Sequence, residues 1–348
     1  MRLRATLAVL LTVPLGLTLV ACGSDSETSS SDASDSSTAS GSSSTSADAF
    51  PVTIDSTLGK TTIKEKPERV VTIGWGSQDA ALALGVVPVG MQDMTGNTGD
   101  DTGILPWDET VIKKLGGDDP TLISYTTDDV PYEKIAALDP DVILAVNSGL
   151  TAKEFKTLNG IAPTVGYPGE AWLTSWQDQI EIVGKALGES AKATELEQQT
   201  DDLISQAKDD HPEFAGKTIA FGSGTTTDSY NLYVATDSRV QLLHEFGFTI
   251  SSSLPKKASS FAVQLSLEKL DTIDSDVLVS WYLSDDVQKA IESNGLFQKM
   301  KAVKRNGYVP ITNPAMVYAT SAVTVLSLPW MLKKYLPMLS AAANGKAS

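Results

Sequence analysis

The stretch Tyr132-Glu133-Lys134-Ile135-Ala136-Ala137-Leu138-Asp139-Pro140-Asp141-Val142-Ile143-Leu144 returns as Leu267-Glu268-Lys269-Leu270-Asp271-Thr272-Ile273-Asp274-Ser275-Asp276-Val277-Leu278-Val279. Glu, Lys, two Asp and one Val coincide, and the other core positions stay apolar. Each copy predicts a short helix, a tight turn at the aspartates and a buried strand, because the run after the second Asp carries strand-type residues. A supersecondary unit repeated at this distance implies two similarly built lobes. Two lobes make a cleft, and clefts between domains are where small molecules usually bind.

Around the first copy, Val52 to Lys66 alternates and reads as a hairpin turning at Gly59-Lys60. Arg69 to Trp75 reads as a buried strand, Gln78 to Leu84 as a helix, Val86 to Gly90 as a strand, and Asp93 to Trp107 as a long loop. Strands follow at Val142–Val146 and Ala162–Tyr167, then a helix from Trp176 to about Leu187 capped by Thr174 or Ser175. This alternation indicates a mainly parallel sheet with helices on both faces. A helical run from about Ala191 to Asp209, with Leu196, Leu203, Ile204 and Ala207 on one face, reads as the connector between lobes. The second lobe opens with the strand Lys217–Phe221 and ends in a helix around Ser321–Tyr335 containing Pro329. The fold class is therefore α/β: two Rossmann-like lobes, residues 51–188 and 213–340, joined by a long bridging helix, residues 189–212, with the ligand cleft between them and a tail at 341–348.

Arg2 and Arg4 precede an apolar run that Pro14 and Gly16 interrupt, ending in Leu19-Val20-Ala21-Cys22. Residues 1–21 have the charged and apolar regions of a secretion signal, and the last four residues look like a bacterial lipobox whose Cys22 is lipidated. Cys22 is the single cysteine, so no intramolecular disulfide is expected. From Gly23 to Ala49 the chain is nearly all Ser, Thr, Asp, Ala and Gly, a composition that cannot offset the entropy of ordering. Residues 22–50 thus read as a lipidated, disordered tether spanning about 30 Å. The net charge of −16 argues against nucleic acid and against direct adhesion to anionic lipid.

Enzyme motifs are weak. Gly222-Ser223-Gly224-Thr225 lacks the Gly-Lys-Ser/Thr ending of a phosphate loop, Gly74-Trp75-Gly76 lacks the third dinucleotide glycine, and no Gly-x-Ser-x-Gly elbow is present. The two histidines, His211 and His244, do not suggest a transition-metal site built by the protein.

The lipobox, the polar tether, the phrase Arg69–Trp75, the run Ala83-Leu84-Gly85-Val86-Val87-Pro88-Val89-Gly90 and both Glu-Lys repeats resemble the iron-siderophore substrate-binding lipoproteins of ABC importers. The resemblance covers nearly all of the chain after residue 50. It implies a monomeric, membrane-anchored, extracytoplasmic receptor that delivers a ferric siderophore to a permease dimer with its ATPase. Iron would be bound through its chelator, with no cofactor and no direct metal ligand. By position in the repeat, it also implies that Glu133 and Glu268 dock onto the permease; each equally suits the first turn of a helix. Haem- and vitamin B12-binding receptors share the fold, and a haem reading would use Tyr167 or Tyr282 as axial ligand. A hydrolase on a two-lobed α/β scaffold is the remaining alternative.

Ligands in such sheets bind outside the carboxyl ends of strands. Trp75, Tyr167, Trp172, Trp281 and Tyr282 fall at or near strand ends and read either as cleft lining or as core. Trp107 and Tyr318 join them on loop position and resemblance, and Asn147 follows the first repeat strand. Trp176 and Trp330, inside helices, read as core. The mature chain has three arginines: Arg69 before a strand, Arg305 at a surface turn, and Arg239, which either points into the cleft or sits solvated in a first helical turn. So few basic groups suit a near-neutral chelate, a ferric tris-hydroxamate or mixed-ligand siderophore, better than a multiply charged catecholate.

Overall fold

A computed structural model describes residues 49–126, 129–257 and 260–347. The signal segment, Cys22 and the tether up to residue 48 lie outside the described residues. A hairpin of β1 (Val52–Ser56) and β2 (Gly59–Ile63) leads in, its turn at Thr57–Leu58 rather than at Gly59-Lys60.

The first lobe is built on β3 (Val70–Thr72), β4 (Gly90–Gln92), β5 (Thr121–Ile123), β6 (Val142–Leu144) and β7 (Thr164–Val165), in the order β5-β4-β3-β6-β7. All pairs are parallel. Val70, Val71, Val142, Ile143 and Leu144 are fully buried, as a parallel sheet covered on both faces requires. The second lobe uses β8 (Thr218–Gly224), β9 (Ser229–Tyr233), β10 (Thr249–Ile250), β11 (Ala262–Ser266), β12 (Val277–Tyr282) and β13 (Tyr308–Ile311). Here β12 lies parallel between β8 and β13, while β10 pairs parallel with the start of β8. The remaining edge is antiparallel, β9 on the later part of β8 and β11 on β9. This departs from a wholly βαβ reading. The partly exposed residues of β9 and β11 explain it, since antiparallel edges tolerate solvent on one side.

The repeat is a structural device. Its helices are Tyr132–Ala136 and the 3-10 turn Leu267–Thr272, and its strands are β6 and β12. In the first copy the Asp141 carboxylate accepts from the Glu68 and Arg69 amides at 2.9 and 2.8 Å, and its own amide donates to the Arg69 carbonyl. In the second, Asp276 accepts from the Thr218 amide and hydroxyl at 2.9 and 3.0 Å and donates to the Thr218 carbonyl. Each second aspartate thus pins the start of the lobe's first strand beside its own, setting the β3–β6 and β8–β12 registers. Arg69 donates to the carbonyls of Leu138 and Asp139, holding the turn; Arg305 pairs with Asp276 at 2.8 Å.

The connecting helix spans Ser190–Asp210. It buries Ala193, Thr200, Ile204 and Ala207, whereas Leu203 of the anticipated stripe is exposed and Leu196 only half-buried. The small Ala193 seats it on helix Trp176–Leu187: a Cβ on Gly184 would come within 2.4 Å of that of Ala193.

Other boundaries moved for local reasons. Helix Ser77–Ala83 is closed by left-handed Gly85 and a Val86 amide bonded to the Ala81 carbonyl, so the next strand begins at Gly90 instead of Val86. The expected loop 93–107 contains the turn Thr95–Thr98 and the start of helix Pro106–Leu115, with Pro106 in its first turn. The chain ends in two helices, Pro314–Ser321 and Ser327–Ala343. Pro329 lies in the second one's first turn and Pro337 in its interior, and Ala342 and Ala343 are buried where a tail was expected.

Candidate functional site

Strand order reverses beside β3 and β6 in one sheet and beside β8 and β12 in the other, and crevices form outside the carboxyl ends of strands at such points. The candidate residues gather there. Gly74 and Gly76 are left-handed, and a Cβ on Gly74 would lie 2.5 Å from the Asn147 carbonyl. This brings the loop after β3 flush against the loop after β6, where the Trp75 amide donates to Asn147 O at 2.8 Å. The half-buried Trp75 ring lies 5.5 Å from Trp172 and 5.4 Å from Tyr318. Trp172 takes a positive φ of 63°, and its indole lies over Gly149, where a Cβ would come within 2.4 Å of Nε1. The buried Asn147 Oδ1 has no hydrogen-bond partner among the described residues and lies in the loop after β6.

Tyr318 comes from the far end of the sequence. It stacks on Trp107 at 6.2 Å, and Trp107 meets Trp330 at 5.0 Å. Trp107 is helical, not in a loop, and nearly fully buried, with its Nε1 donating to Asp79 Oδ2 at 2.7 Å. Tyr318 is buried as well, so these two support Trp75 from behind while Trp75 and Trp172 keep exposed ring surface. Trp330 is half-buried and Trp176 buried, both in helices.

In the second lobe Trp281 stands near the end of β12 and donates from Nε1 to the Tyr233 hydroxyl at 3.0 Å. That hydroxyl lies 3.4 Å from Ser223 Oγ near the end of β8. The Arg239 guanidinium sits 4.3 Å over the Tyr233 ring and 4.9 Å from that of Phe261. Its Nε and Nη2 donate to Asp237 at 2.8 and 3.0 Å. Burial works against the arginine's charge, and the Asp237 carboxylate together with Tyr233 outweighs it, holding the guanidinium above its ordinary range. Arg239 is therefore neither a solvated first-turn residue nor a free cation.

The hydroxyls of Tyr167 and Tyr282 are committed to protein partners. The buried Tyr167 hydroxyl donates to the Leu150 carbonyl at 2.9 Å. That of Tyr282 lies 2.7 Å from Tyr308, which in turn reaches Glu292 at 2.8 Å. An axial role for either would require breaking these bonds. Glu133 and Glu268 are exposed in the first turns of the two repeat helices. Sequence reading missed Tyr233, Asp237 and Phe261. Asp237 carried a signal, as an Asp directly before a helix start, and it does cap Arg239 N at 3.0 Å.

Residues 70–314 match the periplasmic binding protein family. The chain belongs to that family. Among its relatives, the Fe(3+)-citrate-binding protein YfmC of Bacillus subtilis is 30% identical over 257 residues, covering 72% of this chain and 75% of that protein. The lipoprotein YhfQ of the same organism, named for ABC transporter substrate binding, is 28% identical over 320 residues, 88% of this chain and 90% of its own. Streptococcus pneumoniae PiaA, solved in complex with ferrichrome, superposes with a TM-score of 0.74 at 34% identity, over 84% of this chain and 99% of that one. The two-lobed α/β architecture is that of these binding proteins. No helix among the described residues is long and apolar enough to cross a membrane.

Proposed function

We propose that this protein is the extracytoplasmic receptor of an ABC importer, capturing a ferric siderophore between its lobes and passing it to the permease. The observation that carries the reading is the chemistry gathered at the switch point of each sheet. Trp75 and Trp172 supply half-exposed aromatic surface on one lobe. Trp281, Tyr233 and the donor-rich Arg239 supply the other. Flat rings cover the organic shell of a chelate, and N–H groups meet its oxygens. Iron arrives already chelated, so the protein supplies no metal ligand. The ligands named for YfmC and PiaA, ferric citrate and ferrichrome, support this class of cargo. Lipidation at Cys22 holds a monomeric body near the membrane, and Glu133 and Glu268 orient it on the permease.

Tryptophan fluorescence of the tetherless protein, titrated with apo and ferric siderophores and with haem, tests the reading. Tight quenching by a ferric hydroxamate or mixed chelate, absent for the free chelator, is expected. No response to any ferric chelate, with calorimetry in agreement, would sink it.

A further inference from the structure

The guanidinium at the mouth of the second sheet is already paired. Asp237 contacts Arg239 through both carboxylate oxygens, and its side chain is 1% exposed against 12% for the arginine. The Tyr233 and Phe261 rings lie over the guanidinium, and with both side chains so little exposed solvent screens the pair little. A ligand approaching Trp281 and Tyr233 therefore meets N–H donors carried by a pair of zero net charge. Arg239 Nη1, 3.5 Å from the Tyr233 hydroxyl, is the least committed of these donors. An arginine kept for a polyanion would gain from standing uncompensated, because a buried carboxylate beside it repels the same ligand.

We propose that Asp237 sets the charge class of the ligand: by cancelling Arg239, it tunes the site to ferric chelates of zero net charge, the tris-hydroxamate class, and against polyanionic ones. This rests on the ferric-siderophore reading above. Asp237 is a specificity-determining residue that acts through Arg239. The arginine supplies hydrogen bonds, and the aspartate removes the long-range attraction that would favour anions.

Asp237→Asn isolates the charge. Asparagine caps a helix as well as aspartate does, and it keeps an acceptor for the Arg239 amide. Calorimetric titrations would compare wild type and variant with three probes: a neutral ferric tris-hydroxamate, ferric citrate and a trianionic ferric tris-catecholate, at low and high salt. The wild type should bind the neutral chelate most tightly. In the variant, the affinity ratio of trianionic to neutral chelate should rise by about 10- to 100-fold, and the gain should shrink with salt. Arg239→Gln leaves Asp237 uncompensated and should move the ratio the other way, which keeps the test available if Asp237→Asn melts. An unchanged ratio, or a uniform loss across the three probes, overturns the assignment to Asp237 while leaving the receptor intact. Failure of the wild type to bind any ferric chelate overturns the receptor reading and this inference with it.

Discussion

Asp79 and Asp108 are fully buried carboxyls on helices Ser77–Ala83 and Pro106–Leu115, behind the Trp75 surface. Asp79 Oδ2 accepts from Trp107 Nε1 at 2.7 Å and from Thr324 Oγ1 at 2.5 Å, while Asp79 Oδ1 and both oxygens of Asp108 have no hydrogen-bond partner among the described residues. Burial pushes Asp79 up to about 7 against the pull of its two hydrogen bonds. Burial and then repulsion from Asp79 hold Asp108 well above the usual carboxylate range. The other titratable group facing the pair is the buried Tyr318 hydroxyl. Because the folded-state value of Asp79 lies above the unfolded one, the native state binds a proton that the unfolded chain does not. Its contribution is therefore fully favourable below the unfolded value and is lost as pH rises through about 7. Thermal and urea melts should show stability rising by up to about 1.4 kcal/mol per pH unit as pH falls through that region. Asp79→Asn should flatten the rise; an identical pH profile for the variant would refute the assignment.

At the scale of elements, the repeat earns its persistence by register. Removing the carboxylate of Asp276 leaves the Thr218 amide and hydroxyl without their acceptor at the edge of β8 and strips Arg305 and Lys301 of a counter-ion. Asp276→Ala should cost about 1–3 kcal/mol, read as a shift of the urea midpoint at constant slope. Asp141→Ala, at a more exposed position with bonds from the Glu68 and Arg69 amides, should cost about 1 kcal/mol. Two silent variants would mean that the aspartates recur for some reason other than strand registration. The repeat and its strands were legible because they are local: apolar runs bounded by Asp and Pro or Ser need no distant partner to be recognised. Strand β5 and helix Pro106–Leu115 were not: of β5 only Ile123 is buried, and the helix begins within a Gly- and Asp-rich stretch and buries only Trp107, Asp108 and Ile112, too few apolar positions to mark a face.

For the whole molecule, transport and capture should separate. Glu133 and Glu268 sit exposed on the first turns of the two repeat helices, one per lobe. Exchanging both for lysine should leave the ferric-siderophore affinity unchanged. Uptake through a reconstituted importer should fall by about tenfold or more, since mismatched charge acts on encounter and orientation. Uptake that survives the double exchange would remove these residues from the docking role.

The amino-acid sequence by itself determined the two-lobed α/β plan and the connecting helix, because periodicity and turn residues act over a few positions; the solute-binding family came from the resemblance of its motifs. It also placed Trp75, Trp172 and Trp281 at or near strand ends and Arg239 at the start of a helix. Only the tertiary structure decided which of these share a surface. Tyr318, from the helix Pro314–Ser321, meets Trp75, and Thr324, from the connection between the last two helices, bonds Asp79 across 245 positions of sequence. The pairing of Asp237 with Arg239 was adjacent in sequence, yet its burial beneath Tyr233 and Phe261 depends on β9 folding against β8. Contacts between segments far apart in the chain follow from the shape of the packed core, and that shape is a property of all its residues together.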